Sequence, residues 1–172
     1  MRLLEHTVDM NVPVTTAYNH WTQFEQYPQF IESLKRVIQL DERRVYFHAE
    51  LAGADQEWDA EIFEQIPDRI IAWYSVDGPS NTGSLHFIPL SANRTRVKFE
   101  LNYEPEGEWT QVCETLNFLK NRVQVELQRF KDFVETHPCS VDGWRGEIHG
   151  TRVLPPGPSM GQSTGLSHSA NP

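Results

Sequence analysis

Cysteine is scarce in this sequence, which carries only Cys113 and Cys139. Two thiols this far apart make neither a thiolate metal site nor a disulfide framework, so both are read as ordinary thiols, with Cys113 a small core residue. Long apolar runs are missing as well. No stretch approaches the roughly 20 apolar residues that cross a bilayer, and Met1 to Met10 alternates in polarity without a signal-peptide apolar run. These absences predict a cytoplasmic protein with no stable membrane insertion. Positive charge is also in short supply, with 15 Lys and Arg against 24 Asp and Glu and a formal charge of −9. Such a balance repels phosphate backbones and argues against nucleic acid as a partner. Apolar residues make up 38% of the chain and aromatics 11%. Burial therefore rests on large rings as much as on aliphatic side chains.

The length suits a single core. From Thr151 onward the composition turns to Pro, Gly, Ser and Thr with one charged residue, Arg152. A segment of that kind cannot offset its ordering entropy, so 151–172 is expected to be a disordered tail and 1–150 the folded domain.

Within 1–150 two periods alternate. Val8, Met10 and Val12 share one face against Thr7, Asp9 and Asn11, the pattern of a half-buried strand that Pro13 ends. Ala17, Tyr18 and Trp21 follow at helical spacing, and a second short helical stretch around Phe24 to Phe30 contains Pro28. Period-two segments then recur: Val45 to Leu51, Trp58 to Ile62, Ile71 to Trp73, Leu85 to Phe87, and Val97 to Tyr103, separated by turn signals such as Asp77-Gly78-Pro79. They read as a hairpin-connected antiparallel sheet with one wet face. Finally Trp109, Val112, Leu116, Leu119, Val123, Leu127, Phe130 and Val134 recur at steps of three and four, a long amphipathic helix that needs an apolar surface to lie on.

This order gives an α+β class: a curved antiparallel sheet of about seven strands wrapped on a long C-terminal helix, with two short helices after the first strand. It is the helix-grip arrangement, in which the first strand pairs with the last. The short helices hold one end open, so the long helix leaves a cavity of the kind small-molecule sites favour.

Several motifs carry a resemblance. Trp21-Thr22-Gln23-Phe24-Glu25-Gln26-Tyr27-Pro28-Gln29-Phe30, Gln56-Glu57-Trp58-Asp59-Ala60-Glu61-Ile62, Pro67-Asp68-Arg69-Ile70-Ile71-Ala72-Trp73, Tyr103-Glu104-Pro105-Glu106-Gly107 and Gly143-Trp144-Arg145-Gly146-Glu147-Ile148 are in one order along residues 1–150. In this the chain resembles the bacterial polyketide cyclase/dehydrase branch of the START-like, or SRPBCC, superfamily. The resemblance implies a hydrophobic ligand such as a polyketide, lipid, quinone or sterol-like compound, with catalysis in some branches.

Strand and helix phase place Phe47, Trp58, Ile62, Trp73, Phe87, Phe99 and Tyr103 on the concave wall, facing Leu116, Leu119 and Val123 of the long helix. These ten are the expected ligand-binding residues. Aromatic stripes also pack as plain core, although flat rings suit a planar ligand. The resemblance implies that aromatic polyketide cyclases use an interior arginine to stabilise an enolate. Here Arg69 and Arg94 stand at strand starts and Arg96 is out of phase with Val97 and Phe99, all three read as surface residues, so no catalytic residue is assigned. His48 and His86 fall on the solvent face, and no histidine spacing suits a metal. No cofactor is expected. Tyr103, Tyr74 and Ser75 are the candidate hydroxyls, and Arg145 reads as part of a turn that anchors Trp144, or as the partner of an acid at the cavity mouth. The sequence thus supports a binding or carrier domain for a small hydrophobic molecule, the alternative being a cyclase, aromatase or dehydratase in the same cavity. A third reading, an assembly surface, would use the aromatic run Trp21 to Phe30.

Overall fold

Strand β1 (Arg2–Met10) buries Leu4, Val8 and Met10 on one face and pairs antiparallel with β7 (Arg94–Tyr103), from Arg2 opposite Tyr103 to Met10 opposite Thr95. The computed structural model describes residues 1–51, 53–104, 116–137 and 142–157; the side chains of Leu116 and Asn117 and the cysteine expectations lie outside what is described. After β1, Pro13 precedes helix α1 (Val14–Trp21), where its fixed φ and missing N–H cost nothing. A 3-10 helix (Phe24–Gln29) follows with Pro28 inside it, a short tight form that suits a residue unable to donate to a longer ladder.

Strands β2 (Leu34–Gln39), β3 (Arg44–Leu51), β4 (Ala54–Ile66), β5 (Ile70–Ser75) and β6 (Asn81–Ser91) continue as an antiparallel meander, giving the sheet order β1-β7-β6-β5-β4-β3-β2. After helix α2 (Leu116–Thr136), β8 (Glu147–His149) pairs with β4 and β9 (Arg152–Leu154) with β8. The helix-grip architecture is as expected, but the sheet has nine strands instead of about seven. Three of the nine carry weak sequence signals: β2 is an edge strand in which Val37 alone is fully buried, and β8 and β9 are three residues each, too short to display a period. The boundary expected at 150 therefore falls too early, because Gly150 (φ 63°) turns the chain back into β9. Residues 158–172 lie outside the described residues.

A register shift between Ile62 and Glu64 breaks the alternation of β4. Ala60 and Ile62 point inward before it and Gln65 points inward after it, where its Nε2 donates to the Tyr18 hydroxyl at 3.0 Å. Burial pushes the Tyr18 phenol up to about 12. Above this pair, Arg145 donates to both carboxylate oxygens of Asp68 (3.0 and 2.7 Å) and to Asn19 Oδ1 (2.9 Å), with its guanidinium 5.5 Å from the Tyr18 ring centre. The segment after α2 is thus clamped to α1 and to the β4–β5 turn: Arg145 does pair with an acid, but Asp68 does not border the cavity, so the pair acts as an anchor.

The aromatic run Trp21 to Phe30 is interior. Trp21, Phe24, Tyr27 and Phe30 are all buried, with Trp21 4.1 Å and Phe30 5.0 Å from the Phe130 ring. The idea of an exposed aromatic assembly surface there is accordingly withdrawn.

His20 belongs to the same packing. It is 3% exposed, meets Phe133 edge-on at 5.7 Å, and its ring nitrogens are buried with no well-formed hydrogen bond among the described residues. Burial lowers its pKa, opposed in part by the backbone of His137, while the charge of the His137 ring pushes the same way as burial to a smaller extent. With the folded value below the ordinary one, the unfolded chain takes up the proton first as pH falls below about 6.5, so stability drops on acidification. His20→Leu is expected to flatten this loss. Thermal melting at pH 7.5 and 5.5 should give a smaller difference for the variant than for the parent, and equal differences would remove His20 from the account.

Candidate functional site

Between the concave face of the sheet and α2 lies a cavity of about 230 Å³. Helix α2 presents Leu119, Val123 and Glu126 to it, positions four and three residues apart that share one face over roughly 10 Å of helix. Further along the same stripe Leu127, Phe130 and Val134 are solidly packed, and Trp21, Phe24 and Tyr27 from α1 and the 3-10 helix close that end.

The wall is built of facing rings. Phe47 on β3 and Trp58 on β4 are direct cross-strand partners and stack at 5.5 Å with planes 12° apart. Trp73 on β5 and Phe99 on β7 stand 6.3 Å apart across β6. Gly83 lies directly opposite Trp73 and leaves room for its indole, since a Cβ there would sit 2.2 Å from the ring. Phe47, Trp58, Trp73 and Phe99 all face inward yet keep accessible surface, as side chains do when they border a space instead of a neighbour.

Of the ten expected residues, Phe47, Trp58, Ile62, Trp73, Phe99, Tyr103, Leu119 and Val123 border the cavity. Phe87 does not. It shares the inward face of β6 with Leu85 but lies further along the strand, beneath α1, edge-on to Tyr18 at 5.3 Å and 4% exposed. Strand phase tells which face a side chain takes and says nothing of which element covers it. The side chain of Leu116 lies outside the described residues.

The polar features come from Glu126 and Trp21, which were not anticipated, and from Tyr103, which was. Glu126 interrupts the apolar stripe of α2, three residues after Val123, and that charged interruption is the signal sequence reading could have used. Its Oε1 accepts from Ser33 Oγ at 2.7 Å, from the Ser33 backbone N–H at 3.4 Å and from Arg122 Nε at 2.9 Å. Its Oε2 has no donor among the described residues. Tyr103 and Trp21 also border the cavity, 5% and 4% exposed, and the hydroxyl of the one and the indole N–H of the other are buried without a partner among the described residues. Tyr27 is satisfied, its hydroxyl donating to the Trp21 carbonyl at 2.5 Å, and burial holds its pKa well above the usual phenol value.

The remaining candidates lie elsewhere. Tyr74 is on the outer face, donating to Glu61 at 2.8 Å; Ser75 is bonded to Asn81. His48 pairs with Asp55 and His86 with Glu100. Arg94 and Arg96 both hold Asp9, whose carboxyl is kept below the usual range chiefly by its hydrogen bond from Arg96. Among the described residues no group of three His, Cys, Asp or Glu could hold a metal, and no helix is long and apolar enough to cross a membrane.

A family model described as polyketide cyclase / dehydrase and lipid transport matches residues 10–132, which take in the cavity wall and most of α2. The chain belongs to the polyketide cyclase/dehydrase and lipid transport family. An uncharacterised 17.2 kDa protein of Streptomyces lincolnensis is 36% identical over 149 residues, covering 86% of this chain and 99% of that one. The family fold recurs in solved structures. DR_A0006 of Deinococcus radiodurans superposes with a TM-score of 0.63 at 25% identity, covering 79% of this chain and 99% of its own. The Zhui aromatase/cyclase of Streptomyces sp. R1128 superposes at 0.68 with 18% identity, over 83% and 98%. A START superfamily protein of Mycobacterium smegmatis superposes at 0.61 with 16% identity, over 78% and 95%. The sheet and long helix of this family member are thus the START-like helix-grip fold.

Proposed function

We propose that this chain is a binding or carrier domain whose cavity takes up one small, hydrophobic, ring-containing molecule. The observation that carries the reading is a void bordered by stacked and facing rings at whose wall the Tyr103 hydroxyl is buried with no partner among the described residues. Leaving a polar group dry and unpaired costs on the order of 1–3 kcal/mol, a loss that a ligand oxygen accepting from it would recover. Polyketides, quinones and sterol-like lipids all combine the apolar bulk with such an oxygen.

Two measurements test this. Native mass spectrometry of protein purified from its own host should reveal a retained small molecule. Tyr103→Phe should weaken binding of a ketone-bearing ligand about three- to tenfold, the worth of one hydrogen bond, while its melting temperature stays level or rises because an orphan hydroxyl is gone. Unchanged affinity would separate Tyr103 from the ligand.

A second reading, turnover of a cyclase, aromatase or dehydratase type, is favoured by Glu126. A carboxylate at the wall of an apolar cavity, held through one oxygen and open at the other, is placed to accept a proton from a bound molecule. The fold shared with the Zhui aromatase/cyclase agrees with this reading.

A further inference from the structure

Resting on the reading that the cavity holds an apolar ligand, we propose that it selects neutral molecules carrying a hydrogen-bond donor, such as phenols and alcohols, and rejects anionic amphiphiles such as fatty-acid carboxylates and phosphate-headed lipids. The charged groups bordering the cavity are Glu126 and Glu104, and no Lys, Arg or His among the described residues borders it. The stretch 105–115, which follows Tyr103 and Glu104 in the chain, contains no Lys, Arg or His in its sequence either. An entering carboxylate would lose its hydration, meet two like charges, and find no cation to pair with.

The arginine beside Glu126 is already committed. Arg122 donates to Glu126 Oε1 at 2.9 Å and approaches Glu32 at 3.8 Å, while Arg129 holds Glu32 at 2.7 Å. Two arginines and two carboxylates balance one another there, so the cluster presents no excess positive charge. What it does present is Glu126 Oε2, an acceptor with no donor among the described residues. Its side chain is 13% exposed, and Ser33 and Arg122 fix the other oxygen. A ligand hydroxyl is the complement of this oxygen. Tyr103 packs in one cluster with Leu119, two helical turns from Glu126, and its hydroxyl can take an oxygen at the ligand's other end. A rod-like or flat molecule with a hydroxyl at one pole and a carbonyl or ether at the other meets both.

The test is displacement of the neutral fluorophore N-phenyl-1-naphthylamine from the full chain by 2-naphthol, 2-naphthoate and methyl 2-naphthoate at neutral pH. These competitors share one ring system and differ in charge and donor. Naphthol should compete about tenfold or more better than naphthoate, with the neutral ester recovering most of the difference. In Glu126→Gln the gap between naphthol and naphthoate should shrink to about threefold or less, since the charge is gone while the amide oxygen can still accept from Ser33. Naphthoate competing as well as naphthol, with both displacing the fluorophore, overturns the selectivity and leaves the carrier reading standing. A fluorophore that never enters overturns both. A wild-type gap that persists unchanged in folded Glu126→Gln overturns the role given to Glu126.

Discussion

Ala60→Phe is expected to cut uptake of a neutral fluorescent ligand at least about tenfold while the protein remains folded. Ala60 is 1% exposed on the inner face of β4, between Val45 and Ser75 across the neighbouring strands, and borders the cavity. Side chains on a strand stand roughly perpendicular to the sheet, so a benzyl group at this position enters the void. Enlarging a residue in a filled core usually costs about 1–3 kcal/mol through forced rotamers, whereas enlarging one beside empty space adds contacts. The melting temperature should accordingly hold or rise by a few degrees, on the order of a stabilisation by 0.5–2 kcal/mol. Circular dichroism melts alongside probe titration separate the two effects. Full uptake in the variant would mean the ligand does not occupy the space beside Ala60.

Phe130→Ala is expected to do the reverse, emptying a place that is full. Phe130 is 0% exposed and packs against Trp21 at 4.1 Å and Phe30 at 5.0 Å, tying α2 to both the first helix and the 3-10 turn. Removing a buried ring of this kind costs about 3–5 kcal/mol, part transfer and part residual void. For a chain of this size that is a fall in melting temperature of roughly 10–20 °C. Trp21 would also lose the ring that backs it, and Trp21 closes one end of the cavity, so ligand affinity should fall together with stability. A drop of less than about 1 kcal/mol in a denaturant titration would show that α2 is held mainly from elsewhere, contrary to the packing described.

The contrast between these two alanine and phenylalanine positions explains what could be read in the sequence. Period-two alternation marked the inner faces of β3 to β7 because each strand has one wet side, and it placed Phe47, Trp58, Trp73 and Phe99 correctly at the wall. The stripe of α2 was equally plain. What alternation cannot express is depth along a strand: Leu85 borders the cavity while Phe87, two residues on with the same phase, is capped by Tyr18. Trp21, Phe24 and Tyr27 were missed as wall residues because a short α-helix followed by a 3-10 turn has no sustained period. The bulge in β4 reverses phase without a glycine or proline to mark it, so inward Gln65 carried no signal. Glu126 had one, a carboxylate within an otherwise apolar helical stripe, although sequence alone does not supply Ser33 as its partner across the fold.

The contact between Trp73 and Gly83 bears on how such a pocket diversifies. The indole lies over a bare α-carbon on the adjacent strand. Any side chain there would tip the ring toward the overlying helix and narrow the bore, although residue 83 itself does not border the cavity. The calibre of the receptacle is therefore adjustable from behind its wall, by a single codon change, with every group that would touch the guest left in place.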